Sequence, residues 1–134
     1  MPYTIDVARL VGTIGQGTGK TSCTMRRPMN LLFVCSRNQW RSPTAERHFS
    51  RTPGLHVRSA GTASSARRRI RASDLSWADL TLVMEHKHAS QIRKRFGHDP
   101  GCSLHVLEIP DEFGFMDPEL IELLEARVAA LLEG

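Results

Sequence analysis

The sequence predicts an α/β fold, a four-stranded parallel sheet with helices on both faces. A short continuous apolar run, the mark of a strand buried on both faces, stands at 31–34, and further strand segments follow at 80–84 and 104–109. Helix signals fall between and after them, at Ser42-Pro43, Gly97 and Asp117-Pro118. Strands therefore alternate with helices along the chain, which is the order that builds a parallel sheet.

Residues 1–28 stand apart. They show no clear period, and Gly15-Gln16-Gly17-Thr18-Gly19 reads as flexible. Gly17-Thr18-Gly19-Lys20-Thr21 invites comparison with a nucleotide-binding loop, but that motif needs a glycine where Ile14 stands. The expectation is a flexible leader over 1–28, with Met29 as the natural start and one domain over 29–134.

In that domain Leu31-Leu32-Phe33-Val34 forms the first strand. Ser42 then caps a helix whose first turn holds Pro43, with Ala45, His48 and Phe49 on its apolar side. Pro53-Gly54 ends it, and Leu55–Ala60 is the second strand. The segment from Gly61 to Ser73 is polar and basic, with Arg67, Arg68, Arg69 and Arg71 close together. Asp74–Asp79 makes a short helical turn, Leu80–Met84 a third strand, and His86–Phe96 a basic helix ended by Gly97. Leu104–Ile109 is the fourth strand, stopped by Pro110. The last helix opens at Asp117-Pro118 and carries Leu120, Ile121, Leu124, Val128 and Leu131 as its apolar stripe. The expected strand order is flavodoxin-like, 2-1-3-4. In such sheets ligands gather at the carboxyl ends of the strands, where the order reverses. The first strand ends at Val34-Cys35.

Composition narrows the function. The chain has 134 residues, enough for one ordinary domain. No apolar run reaches the roughly 18–20 residues of a membrane span, and no secretory signal is apparent. Three scattered cysteines, Cys23, Cys35 and Cys102, do not make a disulfide framework and point to the reducing cytoplasm. Arg9, Lys20, Arg26 and Arg27 against Asp6 place +3 of the +4 formal charge in residues 1–28, so +1 remains for the domain. Nucleic-acid binding through the phosphate backbone is therefore not expected.

Cys35-Ser36-Arg37-Asn38-Gln39-Trp40-Arg41 joins strand to helix, and it suits phosphate for three reasons. Its backbone N–H groups can curl inward as an anion nest. The helix that follows adds the positive end of its dipole. Arg41 can grip two phosphate oxygens with its planar fork. The same surroundings favour thiolate over thiol, and thiolate is the form that attacks phosphorus. A bare cysteine-x5-arginine match is common by chance. The buried strand before it and the Ser-Pro helix start after it carry the reading.

Leu32-Phe33-Val34-Cys35, with Asn38 and Arg41-Ser42-Pro43-Thr44-Ala45-Glu46, closely resembles the low-molecular-weight protein tyrosine phosphatases. The likeness continues in Ser59-Ala60-Gly61-Thr62, Ala66-Arg67, Met84-Glu85 and the acidic turn after Pro110, from Asn30 to Glu133. It implies a phosphomonoesterase without metal or cofactor, acting through a cysteinyl-phosphate on a phosphorylated protein or small aryl phosphate. Cys35 would be the nucleophile, Arg41 the phosphate clamp and Asp111 the proton donor. Ser42 would stabilise the thiolate and Asn38 hold the loop's shape, with Ser36, Arg37, Gln39 and Trp40 completing the substrate site. The alternatives are a phosphate- or oxyanion-binding module with little turnover, and a thiol-dependent arsenate reductase using Cys102. The reductases carry further cysteines where this chain has Val83 and Met84.

The departures are specific. Arg37 replaces the usual glycine, and Trp40 the second cysteine that many members use to protect the first. The usual aspartate-proline pair is Asp111-Glu112 here. The histidine before Ala66-Arg67 is absent, and the segment from Gly61 to Ser73 is much shorter than the family's. The arginines there read as a solvated face; the alternative is that they draw an acidic substrate to the mouth of the loop. His86 and His88, two apart on a helix, face different sides and suggest no metal. Trp77 reads as core, and Trp40 as core or pocket wall.

Overall fold

The structure is a computed structural model and describes residues 29–97 and 104–133. The expectations for the leader 1–28, and those for Cys23 and Cys102, lie outside the described residues. In chain order the elements are β1 (Met29–Cys35), α1 (Arg41–Phe49), β2 (Leu55–Gly61), α2 (Ala72–Trp77), β3 (Leu80–Val83), α3 (His86–Phe96), β4 (Leu104–Val106) and α4 (Pro118–Glu133). The strands form one sheet in the order β2-β1-β3-β4, parallel throughout, as the sequence predicts.

β1 sits centrally, paired with β2 from Met29↔Leu55 to Cys35↔Gly61 and with β3 from Leu31↔Leu80 to Val34↔Val83. Its side chains alternate between two cores, as the two-residue period of a strand requires. Met29, Leu31, Phe33 and Cys35 face α1 and α4, packing with Ala45, Phe49, Leu120, Leu124, Val128 and Leu132. Leu32 and Val34 face α2 and α3, packing with Leu75, Ala89 and Ile92. Having both faces covered explains why β1 is apolar without a break.

Several details differ from expectation. α1 begins at Arg41, so Ser42 lies inside its first turn and does not cap it. β4 stops at Val106 although Leu107 and Ile109 are buried and their N–H groups still bond the carbonyls of Val83 and Met84. Glu108 between them has φ 57, a left-handed value that breaks the ladder. The short helical turn comes earlier, at Ala72–Trp77. On α4 it is Leu132, not Leu131, that is fully buried. No helix among the described residues is long and apolar enough to cross a membrane.

Candidate active site

The loop from Cys35 to Arg41 follows the carboxyl end of β1, where β2 and β3 lie on either side. Its outer carbonyls are tied down by the short segment after β2. The N–H groups of Thr62, Ala63 and Arg67 bond the carbonyls of Cys35, Ser36 and Arg37 at 2.9–3.0 Å. In a trans peptide the following N–H points opposite to the C=O. With the carbonyls of Cys35 and Ser36 held outward, the N–H groups of Ser36 and Arg37 are turned to the inside of the loop, as an anion nest needs. Gly61 permits this closeness: a Cβ there would fall 2.5 Å from the Ser36 carbonyl oxygen.

Asn38 holds the turn. It adopts φ 57, which asparagine tolerates better than most residues, and it is buried. Its Nδ2 donates to Ser42 Oγ at 3.0 Å and to Ser59 Oγ at 2.9 Å. Ser59 passes its own proton to Glu46 Oε1 at 2.5 Å. Having accepted from Asn38, Ser42 has one hydrogen to give, and Cys35 Sγ lies 3.0 Å away against 3.3 Å for the Ala60 carbonyl. The serine read as a helix cap thus lies beside the sulfur, where either atom can donate to the other and where a thiolate could only accept.

Arg41 is only 2% exposed. Its Nη1 donates to Glu85 Oε2 at 2.5 Å and to the Ile109 carbonyl at 2.8 Å, which leaves Nε and Nη2 for a ligand. Burial alone would raise the Glu85 carboxyl, but the hydrogen bond and charge of Arg41 hold it below the usual carboxylate range. Asp111 Oδ1 lies 3.7 Å from Arg41 Nε, and the aspartate is exposed. The stretch carrying it is anchored at both ends. Ile109 N bonds the Met84 carbonyl, and Met116 N bonds Thr44 Oγ1 of α1. Asp117 caps α4, its Oδ1 accepting the Glu119 N–H at 2.9 Å.

Cys35, Ser36, Arg37, Gln39, Trp40, Arg41, Lys87 and Asp111 line one cleft of about 300 Å³. Trp40 is pocket wall and not core, being 48% exposed. The basic segment does not face this cleft. Arg68 pairs with the fully buried Asp74 at 2.5 Å and lines a separate hollow with Arg58, Arg71 and Trp77. Burial would raise the Asp74 carboxyl, but the Arg68 hydrogen bond, the Arg71 N–H and both charges hold it down. Trp77 is half-buried, with the Arg58 guanidinium 4.2 Å above its ring.

Solved structures decide the fold family. Tyrosine phosphatase Wzb from Escherichia coli, in complex with phosphate, matches with TM-score 0.64 at 22% identity, over 87% of this chain and 97% of its own. A low molecular weight phosphotyrosine phosphatase from Vibrio cholerae gives 0.63 at 19%, over 78% and 95%. This chain has the low-molecular-weight phosphatase fold. The YwlE arginine phosphatase from Geobacillus stearothermophilus gives 0.61 at 25% identity, over 79% and 94%. No protein-family model and no curated protein sequence matches the chain.

Within this fold, every residue expected at the site falls in or directly behind the cleft. Sequence reading missed four that hold it together: Ser59, Glu46, Glu85 and His88. His88 lies on the basic helix, yet it is fully buried. Its Nδ1 accepts the Glu85 N–H at 3.0 Å, and its Nε2 lies 2.9 Å from Ser36 Oγ. Burial and the Arg41 charge push its pKa down to about 4 against the opposing pull of Glu85. The available signal was the spacing: Glu85 and His88 stand at the cap and third positions of α3, where paired capping occurs. Among the described residues no His, Cys, Asp and Glu group is arranged to hold a metal.

Proposed function

We propose that this chain is a phosphomonoesterase of the phosphotyrosine type. The observation that carries it is the convergence on one cleft of a thiol, a buried arginine with a free edge, and an exposed carboxylate. The phosphoryl group sits in the nest with Arg41 Nε and Nη2 on two of its oxygens. Cys35 Sγ attacks phosphorus in line. The P–S bond forms as the ester P–O bond breaks, and Asp111 gives its proton to the departing oxygen. Once the alcohol has left, the Asp111 carboxylate takes a proton from water, whose oxygen attacks phosphorus. Inorganic phosphate leaves and the thiolate is restored, held by Ser42.

The neighbours support this chemistry, since one YwlE structure holds a phosphorylated serine in the active site of a cysteine-to-serine mutant. The test is hydrolysis of p-nitrophenyl phosphate with single-turnover trapping. The wild type should give a phosphate adduct on Cys35, and Cys35→Ala should hydrolyse nothing while the nest still binds inorganic phosphate. Phosphate binding with neither adduct nor turnover would make the chain an anion-binding module instead.

A further inference from the structure

Ser36 follows the nucleophile directly and lines the cleft with it. Its hydroxyl meets one described partner, Nε2 of His88, at 2.9 Å. The tautomer of His88 fixes the direction of that bond. The Glu85 main-chain N–H can only donate, so His88 Nδ1 at 3.0 Å must accept. A neutral ring that accepts at Nδ1 carries its hydrogen on Nε2, and burial with the nearby Arg41 charge keeps the ring neutral well below pH 7. His88 therefore donates to Ser36 Oγ, and the serine's own hydrogen is left over, on the side of the pocket.

We infer that Ser36 is a further oxyanion donor, its side-chain hydroxyl bonding a phosphoryl oxygen and the buried His88 acting as the positioning residue that fixes its direction. The inference rests on the phosphatase reading of the cleft. Three donations run in series, from Glu85 N–H to His88, from His88 to Ser36, and from Ser36 to the anion, each polarising the next. The series is rigid at its base. His88 is fully buried on the first turn of α3, and Glu85, whose N–H begins the series, also holds Arg41. One corner after β3 thus orients two groups toward the same phosphate: the arginine through a carboxylate and the serine through an imidazole. A donor placed before the charge develops costs no reorganisation when it does.

The test reads inorganic phosphate affinity on the full chain, with kcat/KM on p-nitrophenyl phosphate and the melting temperature alongside. Ser36→Ala should weaken phosphate binding by roughly tenfold or more, as expected for a lost hydrogen bond to an anion. Ser36→Thr, which keeps the hydroxyl, should bind nearly as well as wild type. His88→Gln should weaken binding in the wild-type background and add almost nothing in Ser36→Ala, because its effect passes through the hydroxyl. Unchanged phosphate affinity in Ser36→Ala overturns the inference. So does an equal His88→Gln effect in both backgrounds, which would make the histidine a loop prop only. Phosphate binding needs no turnover, so a chain that binds without hydrolysing fails the proposed function and still answers for Ser36. A chain that binds no phosphate overturns both.

Discussion

Arg41 Nη1 lies 2.5 Å from Glu85 Oε2, so the arginine that lines the cleft is gripped from behind by a carboxylate that the sequence alone left unassigned. The pairing fixes which edge of the guanidinium faces the cleft. Glu85→Ala should leave Arg41 with the Ile109 carbonyl and the longer Asp111 contact, and let the fork turn. We expect kcat/KM to fall by roughly ten- to a hundredfold, the scale of a small misplacement of a positioned group. Arg41→Lys should be worse, since an ammonium cannot bond two oxygens side by side. Steady-state rates for both variants check the order, and an unaffected Glu85→Ala would show that the remaining contacts suffice.

Gly61 has an ordinary backbone, and its constraint is closeness. An added Cβ would lie 2.5 Å from the Ser36 carbonyl oxygen and 2.6 Å from Ala66 Cβ. The Ser36 carbonyl is one of those tied outward, and Ala66 N bonds the carbonyl of Ala63, whose own N–H makes that tie. Gly61→Ala should cost roughly 1–3 kcal/mol of stability, as overpacking does, and weaken phosphate binding as the loop shifts. Denaturant unfolding with phosphate titration measures the two together.

The fold was legible because its signals are local. The unbroken apolar run at 31–34 suits a strand covered on both faces, and the Asp117-Pro118 pair marked the start of α4. The placement of the Cys35–Arg41 loop was legible for the same reason, since both residues lie in one short segment between a strand and a helix. Ser42 was half legible. Its place at the helix start was right, but a hydroxyl that can cap can also turn to sulfur, and only the position of Cys35 decides between them. Ser59, Glu46, Glu85 and His88 act on the loop across 13 to 52 residues of chain, from Ser59–Glu46 to Ser36–His88. Neither a periodicity nor a short motif reports contacts of that range.

His88 makes acid stability testable. Its folded pKa of about 4 lies below the ordinary 6.5, so between these values the unfolded chain binds the extra proton. Its contribution is complete above pH 6.5 and is lost as the pH falls through about 4, a difference of roughly 3 kcal/mol. Half-buried His105 is pushed down by burial and acts in the same direction. Asp74 and Glu85, whose pKa values are lowered from 3.8 and 4.5, give up their contributions only further into acid. Wild-type stability should therefore decline between pH 6.5 and 4, and His88→Gln should flatten that decline. Equal slopes would mean that the histidine titrates normally.

Trp40 bears on oxidation. Cys35 lines the cleft, a cysteine reached by peroxide is taken to the sulfenic acid, and among the described residues no second cysteine stands near it as a trap. Peroxide inactivation should pass quickly to forms that dithiothreitol does not rescue, whereas Trp40→Cys should recover. Full recovery of the wild type after long exposure would show that Cys23 or Cys102 reaches the site.

The proton donor is tested by two aspartates in one loop. Asp111 is exposed in the cleft, 3.7 Å from Arg41 Nε, where a leaving oxygen would pass. Asp117 spends its carboxylate on the N–H of Glu119 at the start of α4. A cap is served about as well by asparagine, so Asp117→Asn should change stability by only a few tenths of a kcal/mol and leave the rate nearly intact. A general acid contributes roughly 10²–10⁴ in rate, and its loss depends on how badly the leaving group needs a proton. Asp111→Asn should therefore be severe for phosphotyrosine, whose phenolate is a strong base. It should be milder for p-nitrophenyl phosphate, whose phenolate leaves unprotonated. Measuring both variants on both substrates separates a leaving-group effect from a general loss of activity. If Asp117→Asn shows the leaving-group-dependent loss and Asp111→Asn does not, the roles are reversed, and Asp111 serves only to neutralise Arg41 before substrate arrives.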